Sequence, residues 1–305
     1  MIPGTRPGVP DDDGIDDMTA NTPHPTAATV LITGASTGIG LATAVAVARA
    51  GHTTIATMRD LSRAGALRDA ASAAGVDLEI AQLDVTDDES VERAVARVVA
   101  EHGRLDAVVN NAGAAAVGTV ELLELGRFRD AMEVNFFGVV RVTKAAMPHL
   151  RASGGRVLTV SSVGGIVGQP FNDAYCAAKF AVEGFLESLH PVAATVGVGV
   201  CVIEPGAVAS EFVANAGIDP AAAVAEAGPY APAVVAYLER TARSFAAAQS
   251  AEDVGGLIAG LLDAAALPFR VQTSNAARAF VTPKLADLDG SAVTAITRGW
   301  VTPAA

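Results

Sequence analysis

The chain has 305 residues, 51% hydrophobic and 18% charged, with a net charge of −12. That length suits one large α/β domain, and the acidic balance argues against nucleic acid as a partner. No apolar run is long enough to predict a membrane span. The two cysteines, Cys176 and Cys201, form no CxxC pair, and the five histidines are scattered. Neither a metal site nor a disulfide framework is expected, and the expected location is cytoplasmic.

Residues 1–27 are rich in Pro, Asp and Thr and carry an Asp11-Asp12-Asp13 run. They predict a disordered tail with no signal peptide. Order is expected to begin with a strand at Thr29–Thr33, followed by Gly38-Ile39-Gly40 and a helix over Leu41–Ala50. A second strand at Thr53–Thr57, a helix over Leu61–Ala74 and a third strand at Leu78–Leu83 follow. Asp87, Asp88 and Glu89 suit the positive end of a helix over Ser90–His102. Leu105–Asn110 reads as the fourth strand, Phe128–His149 as a long helix and Arg156–Ser161 as the fifth strand. A further helix, Tyr175–Thr195, is expected to kink or end at Pro191, and the sixth strand covers Val198–Ile203.

Strand and helix alternate throughout, which predicts right-handed βαβ units: a doubly wound parallel sheet covered by helices on both faces. Beyond Gly206 the pattern weakens. Residues 211–250 hold two alanine-rich apolar stretches, Glu252–Ala266 reads as a helix, and Pro268–Gln272 as a last strand. The expected domain spans 28–281, with 282–305 as a C-terminal extension.

The loop Thr33-Gly34-Ala35-Ser36-Thr37-Gly38-Ile39-Gly40 joins the first strand to the first helix. Its glycines admit a pyrophosphate close to the backbone, and the helix N-terminus offers N–H groups and positive dipole. At the end of the second strand, Thr57 stands where an NAD site places an acid, and Arg59 follows. Arginine pairs with a ribose 2′-phosphate, so NADP(H) is favoured over NAD(H); the alternative is a solvated Arg59 with Asp60 serving NAD. Asp84-Val85 and Asn110-Asn111-Ala112-Gly113 fall at the carboxyl ends of the next two strands, where open α/β sheets bind ligands. Ser162 precedes Tyr175 by thirteen residues, and Lys179 follows Tyr175 at i+4. Tyrosine and lysine then share a helix face, and the ammonium is expected to lower the pKa of the phenol.

Together these segments, with Asn135 in Glu133-Val134-Asn135-Phe136 and Pro205-Gly206, resemble the short-chain dehydrogenases/reductases, in the family's order and spacing over residues 28–210. Residues 56–60 and 162–165 look most like the branch of the 17β-hydroxysteroid and retinol dehydrogenases. The resemblance implies a Rossmann fold whose seven strands run in the order 3-2-1-4-5-6-7. It implies Tyr175 as general acid/base, Lys179 on the nicotinamide ribose, Ser162 on the substrate oxygen and Asn135 holding a water toward Lys179. It also brings Pro205, Gly206 and Val208 to the cofactor, with Ser210 near the carboxamide, and makes 211–250 a substrate lid.

The implied activity interconverts a secondary alcohol and a ketone, a small-molecule and hydrophobic substrate, in a homodimer or homotetramer. Phe171 and Val163–Val167 are expected to wall the substrate. The rival readings are a cofactor-binding sensor that has lost its chemistry, and an epimerase or dehydratase on the same fold.

Overall fold

A computed structural model describes residues 27–212 and 219–286, together with positions 296 and 299. The expected N-terminal tail, apart from Ala27, and most of the C-terminal extension lie outside the described residues. The strands are β1 (Thr29–Ile32), β2 (Thr53–Met58), β3 (Glu79–Gln82), β4 (Ala107–Asn110), β5 (Arg156–Val160), β6 (Gly199–Glu204), the two-residue β7 (Val208–Ala209) and β8 (Gln249–Ser250), and β9 (Arg270–Gln272). Seven of them form one sheet in the order β3-β2-β1-β4-β5-β6-β9, every pairing parallel. β7 and β8 pair separately at the rim of the cleft, a feature the sequence reading did not anticipate.

The helices are α1 (Gly38–Arg49), α2 (Gly65–Ala74), α3 (Asp88–His102), α4 (Leu125–Met132), α5 (Gly138–Ser153), α6 (Asp173–Ala194), α7 (Pro220–Glu226), α8 (Ala231–Ala246), α9 (Ala251–Asp263) and α10 (Asn275–Ala286). Alternation along the strands divides the core in two. Val30 and Ile32 pack with α1, α2 and α9, through Val47, Leu67 and Ile258. Leu31 faces the other way and joins Val95 of α3, Val142 of α5 and Leu186 of α6. Each such fully buried aliphatic side chain contributes roughly 1.5–3 kcal/mol.

Pro191 does not end its helix, since α6 runs on to Ala194, and α5 likewise runs past Pro148 to Ser153. Both prolines fall near a helix end, where one lost backbone bond is offset by burial of Leu150 and Ala193 just beyond. α10 extends past the expected domain limit at 281, because Val281 is buried against Val163 and Val167. No helix among the described residues is long and apolar enough to cross a membrane.

The expected helix over 128–149 is longer and interrupted. Between α4 and α5 the chain makes one π turn, Glu133–Phe137, in which the Gly138 N–H donates to Glu133 O, five residues back. The wide turn leaves Ala131 O for the side chain of Asn135, whose Nδ2 donates to it at 2.9 Å. Such bulges are frequent at functional sites.

Candidate active site

The glycine loop is built against the end of β4. The Thr33 hydroxyl accepts the backbone N–H groups of Asn111 and Ala112 at 3.0 and 3.1 Å. The Asn111 side-chain amide donates to Thr33 O and Gly34 O, both at 3.0 Å. A Cβ on Gly40 would lie 2.3 Å from Gly34 O and 2.4 Å from Asn111 Nδ2. Gly34 has a φ of +68°, and a Cβ there would sit 2.7 Å from Ala112 Cα. The protein's own packing thus requires these two glycines, and the Asn111 amide is committed to holding the loop.

The rest of the loop is different. Ser36, Thr37, Gly38 and Ile39 are half-buried. Thr37 occupies the N-cap of α1 without a side-chain cap bond, and the first turn holds no acid. The helix therefore keeps its N–H groups and positive end available, which fits a diphosphate. Across the cleft, Ser210 approaches Gly38, its Cβ 3.1 Å from where a Gly38 Cβ would stand.

At the adenosine end, Thr57 does not face the cleft. It is fully buried and its hydroxyl donates to Ile32 O at 2.9 Å. Arg59 is exposed just past β2, its carbonyl accepting from Gln82 Nε2. Asp60 caps the next turn through Ser62 N at 2.9 Å, and its pKa is lowered by those Ser62 bonds and by Arg63 and Arg59. Asp84 Oδ1 accepts from the backbone and hydroxyl of Thr86. The Val85 side chain is buried in the core cluster shared with α3 and α5, and that of Val208 in the cluster around α1. Those two valines offer a ligand only their backbone. Pro205 O accepts the N–H of Val163, tying the turn after β5 to the half-buried Gly206.

Tyr175 stands in the first turn of α6, whose start is anchored by Asp173 accepting from the Thr119 hydroxyl at 2.6 Å. Opposite it, Ser162 opens a short 3-10 turn, Val163–Gly165, and its hydroxyl accepts from Gly164 N at 2.9 Å. A Cβ on Gly164 would lie 3.3 Å from Ser162 Oγ and 3.5 Å from the Tyr175 ring, so both side chains converge on this glycine. Lys179 is buried, its ammonium donating to Val160 O at 3.0 Å and standing 5.8 Å from the Tyr175 ring centroid. Asn135, fully buried, clasps Ala114 through its N–H at 3.2 Å and its carbonyl at 2.9 Å. Gly113 lies between these two: its Cβ would be 2.9 Å from Asn135 Oδ1 and 3.8 Å from Lys179 Nζ.

The electrostatics correct one expectation. Burial raises the Tyr175 pKa to about 12, with the Ser162 hydroxyl opposing it. Lys179 bonds Val160 rather than the phenol, and burial lowers its own pKa to about 8. Dehydration of the phenolate sets the direction, and what opposes it is the Ser162 hydroxyl rather than the lysine. At neutral pH the site therefore holds a protonated phenol, the form that donates a proton to a carbonyl.

The expected substrate wall divides. Val163, Ile166 and Val167 pack against Ala277 and Val281 of α10. Phe171, with a φ of +59°, instead packs on Tyr237 of α8 at 5.3 Å between ring centroids. Asn172 Nδ2 donates to the Tyr237 hydroxyl at 2.9 Å. Phe212 lies 5.7 Å from the Tyr175 ring, so the chain beyond β7 reaches the reacting end of the cleft. Sequence reasoning missed the meeting of Glu183, Glu204 and Arg270, in which Glu183 stands one helical turn past Lys179 on α6. The i+4 spacing from Lys179 to Glu183 was the available signal.

The short chain dehydrogenase family model matches residues 28–221. Retinol dehydrogenase 8 of Bos taurus is 38% identical over 278 residues, 86% of each chain. 17-beta-hydroxysteroid dehydrogenase type 1 of Homo sapiens is 44% identical over 190 residues, 60% of this chain and 57% of that protein's length. A solved short-chain dehydrogenase from Streptomyces avermitilis superposes with a TM-score of 0.71 at 32% identity, covering 90% of this chain and 98% of that one. The chain belongs to the short-chain dehydrogenase family, an oxidoreductase of CH–OH groups on the branch of the retinol and 17β-hydroxysteroid dehydrogenases.

Proposed function

We propose that this enzyme interconverts a secondary alcohol and a ketone, with a hydrophobic substrate and a preference for NADP(H). The observation that carries the chemistry is the convergence of Ser162 and Tyr175 on Gly164, and of Asn135 and Lys179 on Gly113. The nicotinamide, when bound, supplies or accepts the hydride. Tyr175 donates the proton to the substrate oxygen in reduction and removes it in oxidation. Ser162 steadies charge developing on that oxygen. Lys179 stabilises the phenolate left behind and holds the ribose. Asn135, fixed by the π turn, shapes the polar space behind Lys179.

The NADP preference rests on Arg59. It is exposed at the end of β2, while Asp60, the acid that would serve NAD, is engaged in capping. Arg63 adds a second guanidinium near the same carboxylate. The apolar lid, with Phe171, Val234 and Tyr237 in one cluster, supports a lipophilic substrate. The names of the relatives, retinol and 17-beta-hydroxysteroid dehydrogenases, point to the same class.

Oxidation of NADPH should be followed over a panel of ketones, aldehydes and steroids with wild type and Tyr175→Phe. The variant should lose roughly 10²–10⁴-fold in kcat while binding NADPH about as well. Full activity in Tyr175→Phe would sink the mechanism. NADPH binding without turnover of any carbonyl by wild type would favour the sensor reading.

A further inference from the structure

Tyr175, Lys179, Glu183 and Glu187 stand at successive i+4 positions along α6, so they line one face of the helix. The mechanism above uses only the first two. Glu183 is 4% exposed, and Glu204, at the end of β6, is fully buried. Arg270 of β9 reaches all three carboxylates, Glu183 at 3.1 Å, Glu187 at 2.6 Å and Glu204 at 3.4 Å. Gln272 donates to Glu204 at 3.0 Å. Glu183 Oε1 and Glu204 Oε1 have no hydrogen-bond partner among the described residues. One guanidinium thus faces three acids, two of them buried, beside the helix face that carries Lys179.

The two adjacent serines at the end of β5 divide between the neighbouring groups. Ser162 faces Tyr175, and Ser161 faces Glu183 without closing a hydrogen bond of normal geometry. Gly165 lets this second set approach: a Cβ there would lie 2.8 Å from Ser161 Oγ, 3.0 Å from Glu183 Cγ and 3.1 Å from Lys179 O. The Lys179 ammonium itself donates to Val160 O at 3.0 Å.

We propose that Glu183 is a positioning residue of this active site: its buried carboxylate, clamped by Arg270 and flanked by Glu204, keeps Lys179 charged. The proposal rests on the reading of Tyr175 and Lys179 as the acid–base pair. Burial is the main influence lowering the Lys179 pKa, and Glu183 is the influence that opposes it. Glu183 is itself pushed up by burial, against Ser161, Arg270 and Lys179. Glu204 is pushed up by burial and by Glu183, against Gln272 and Arg270. The Cys201 thiol also faces this group, and burial together with Glu204 holds it protonated, at about 12. Neutralising Glu183 removes the opposing influence, so Lys179 loses its proton at lower pH and the alkaline limb of kcat moves down with it.

The sequence has only three lysines, Lys144, Lys179 and Lys284, so a full-length chain carrying ¹³C at the lysine ε-carbons gives three signals to assign and titrate by NMR. Glu183→Gln should lower the Lys179 inflection by about one pH unit or more, a tenfold change in proton affinity, and shift the alkaline limb of kcat in step. Glu183→Asp, which keeps the charge, should retain most of the wild-type value. An unmoved inflection in Glu183→Gln, or an equal shift in Glu183→Asp, overturns the proposal. Should Glu183→Gln fail to fold, the wild type still decides: its Lys179 signal should carry a second inflection at the pH where a labelled Glu183 carboxyl titrates, and a single inflection overturns the proposal. The NMR titration does not depend on turnover. Full activity in Tyr175→Phe therefore removes the acid–base reading separately, without altering what Lys179 reports about Glu183.

Discussion

At the glycine loop, Thr33, Asn111 and Ala112 pair their polar groups within the protein, at distances near 3 Å. Across the same cleft, at the ends of β5 and β6 and on α6, Ser161, Glu204 and Glu183 are buried with oxygens that have no hydrogen-bond partner among the described residues. The nucleotide side stores shape and the acid–base side stores buried polar groups left unpaired. Backbone and amide groups can be saturated by one another and still leave a helix N-terminus open to a ligand. Acid–base groups cannot be saturated in that way, because a fully paired lysine or tyrosine has no proton or charge to lend. The two walls should therefore respond to substitution with opposite signs in stability.

Lys179→Met breaks the charged wall most directly. Turnover should fall by roughly 10²–10⁴-fold, while stability at pH 7 is kept or raised, because the substitution removes a dehydrated ammonium. The sign follows from the lowered pKa. Against an unfolded value of 10.5, a folded value of about 8 is a penalty fully present below pH 8 and relieved as pH rises toward 10.5. The stability gap between variant and wild type, at most about 3 kcal/mol, should narrow over that window in urea titrations run at each pH. The raised pKa values of Cys176, Cys201 and Tyr175 act in both proteins and cancel from the difference.

Gly40→Ala tests the shaped wall. The added carbon meets backbone oxygen and a committed amide, neither of which can turn aside. A loss of about 1–3 kcal/mol is expected from overpacking, with weaker NADPH binding in proportion. Thermal melts with and without NADPH measure both effects, and an unchanged melting temperature would show that the loop tolerates expansion. Arg59→Asp should have the smallest effect on the fold, since Arg59 is exposed. It should lower the ratio of kcat/KM for NADPH over NADH by about tenfold or more, the scale of one charge-assisted pair. A ratio that does not move would remove Arg59 as the determinant of cofactor choice.

The fold was legible because short, continuously apolar strands such as Thr29–Ile32 and helices closed by Gly51, Gly75 and Gly103 carry their pattern locally. The strand order of the sheet agrees with the one implied by the family resemblance, although the seventh strand arrives only after β7 and β8. What escaped was set by distance in the fold. The direction of the Tyr175 pKa depends on how much water the surrounding elements exclude, which an i+4 spacing does not encode. The meeting of Glu183, Glu204 and Arg270 joins α6, β6 and β9, elements separated by up to 87 residues between partners. Thr57 escaped for a subtler reason: one residue along a strand reverses the facing of a side chain, and the hydroxyl turned inward to Ile32.

The π turn between α4 and α5 can be read as a change of phase. One extra residue in a turn rotates everything after it by about 100° relative to a uniform helix. α4 packs against α6 while α5 packs against α3, so one nearly continuous rod presents its apolar stripe to different neighbours before and after the turn. Removing one residue from 133–137 would put both halves in a single phase, and only one of the two contacts could then be satisfied. The same single-residue offset that frees a carbonyl for Asn135 also lets one helix serve as a wall of the site and as part of the outer layer.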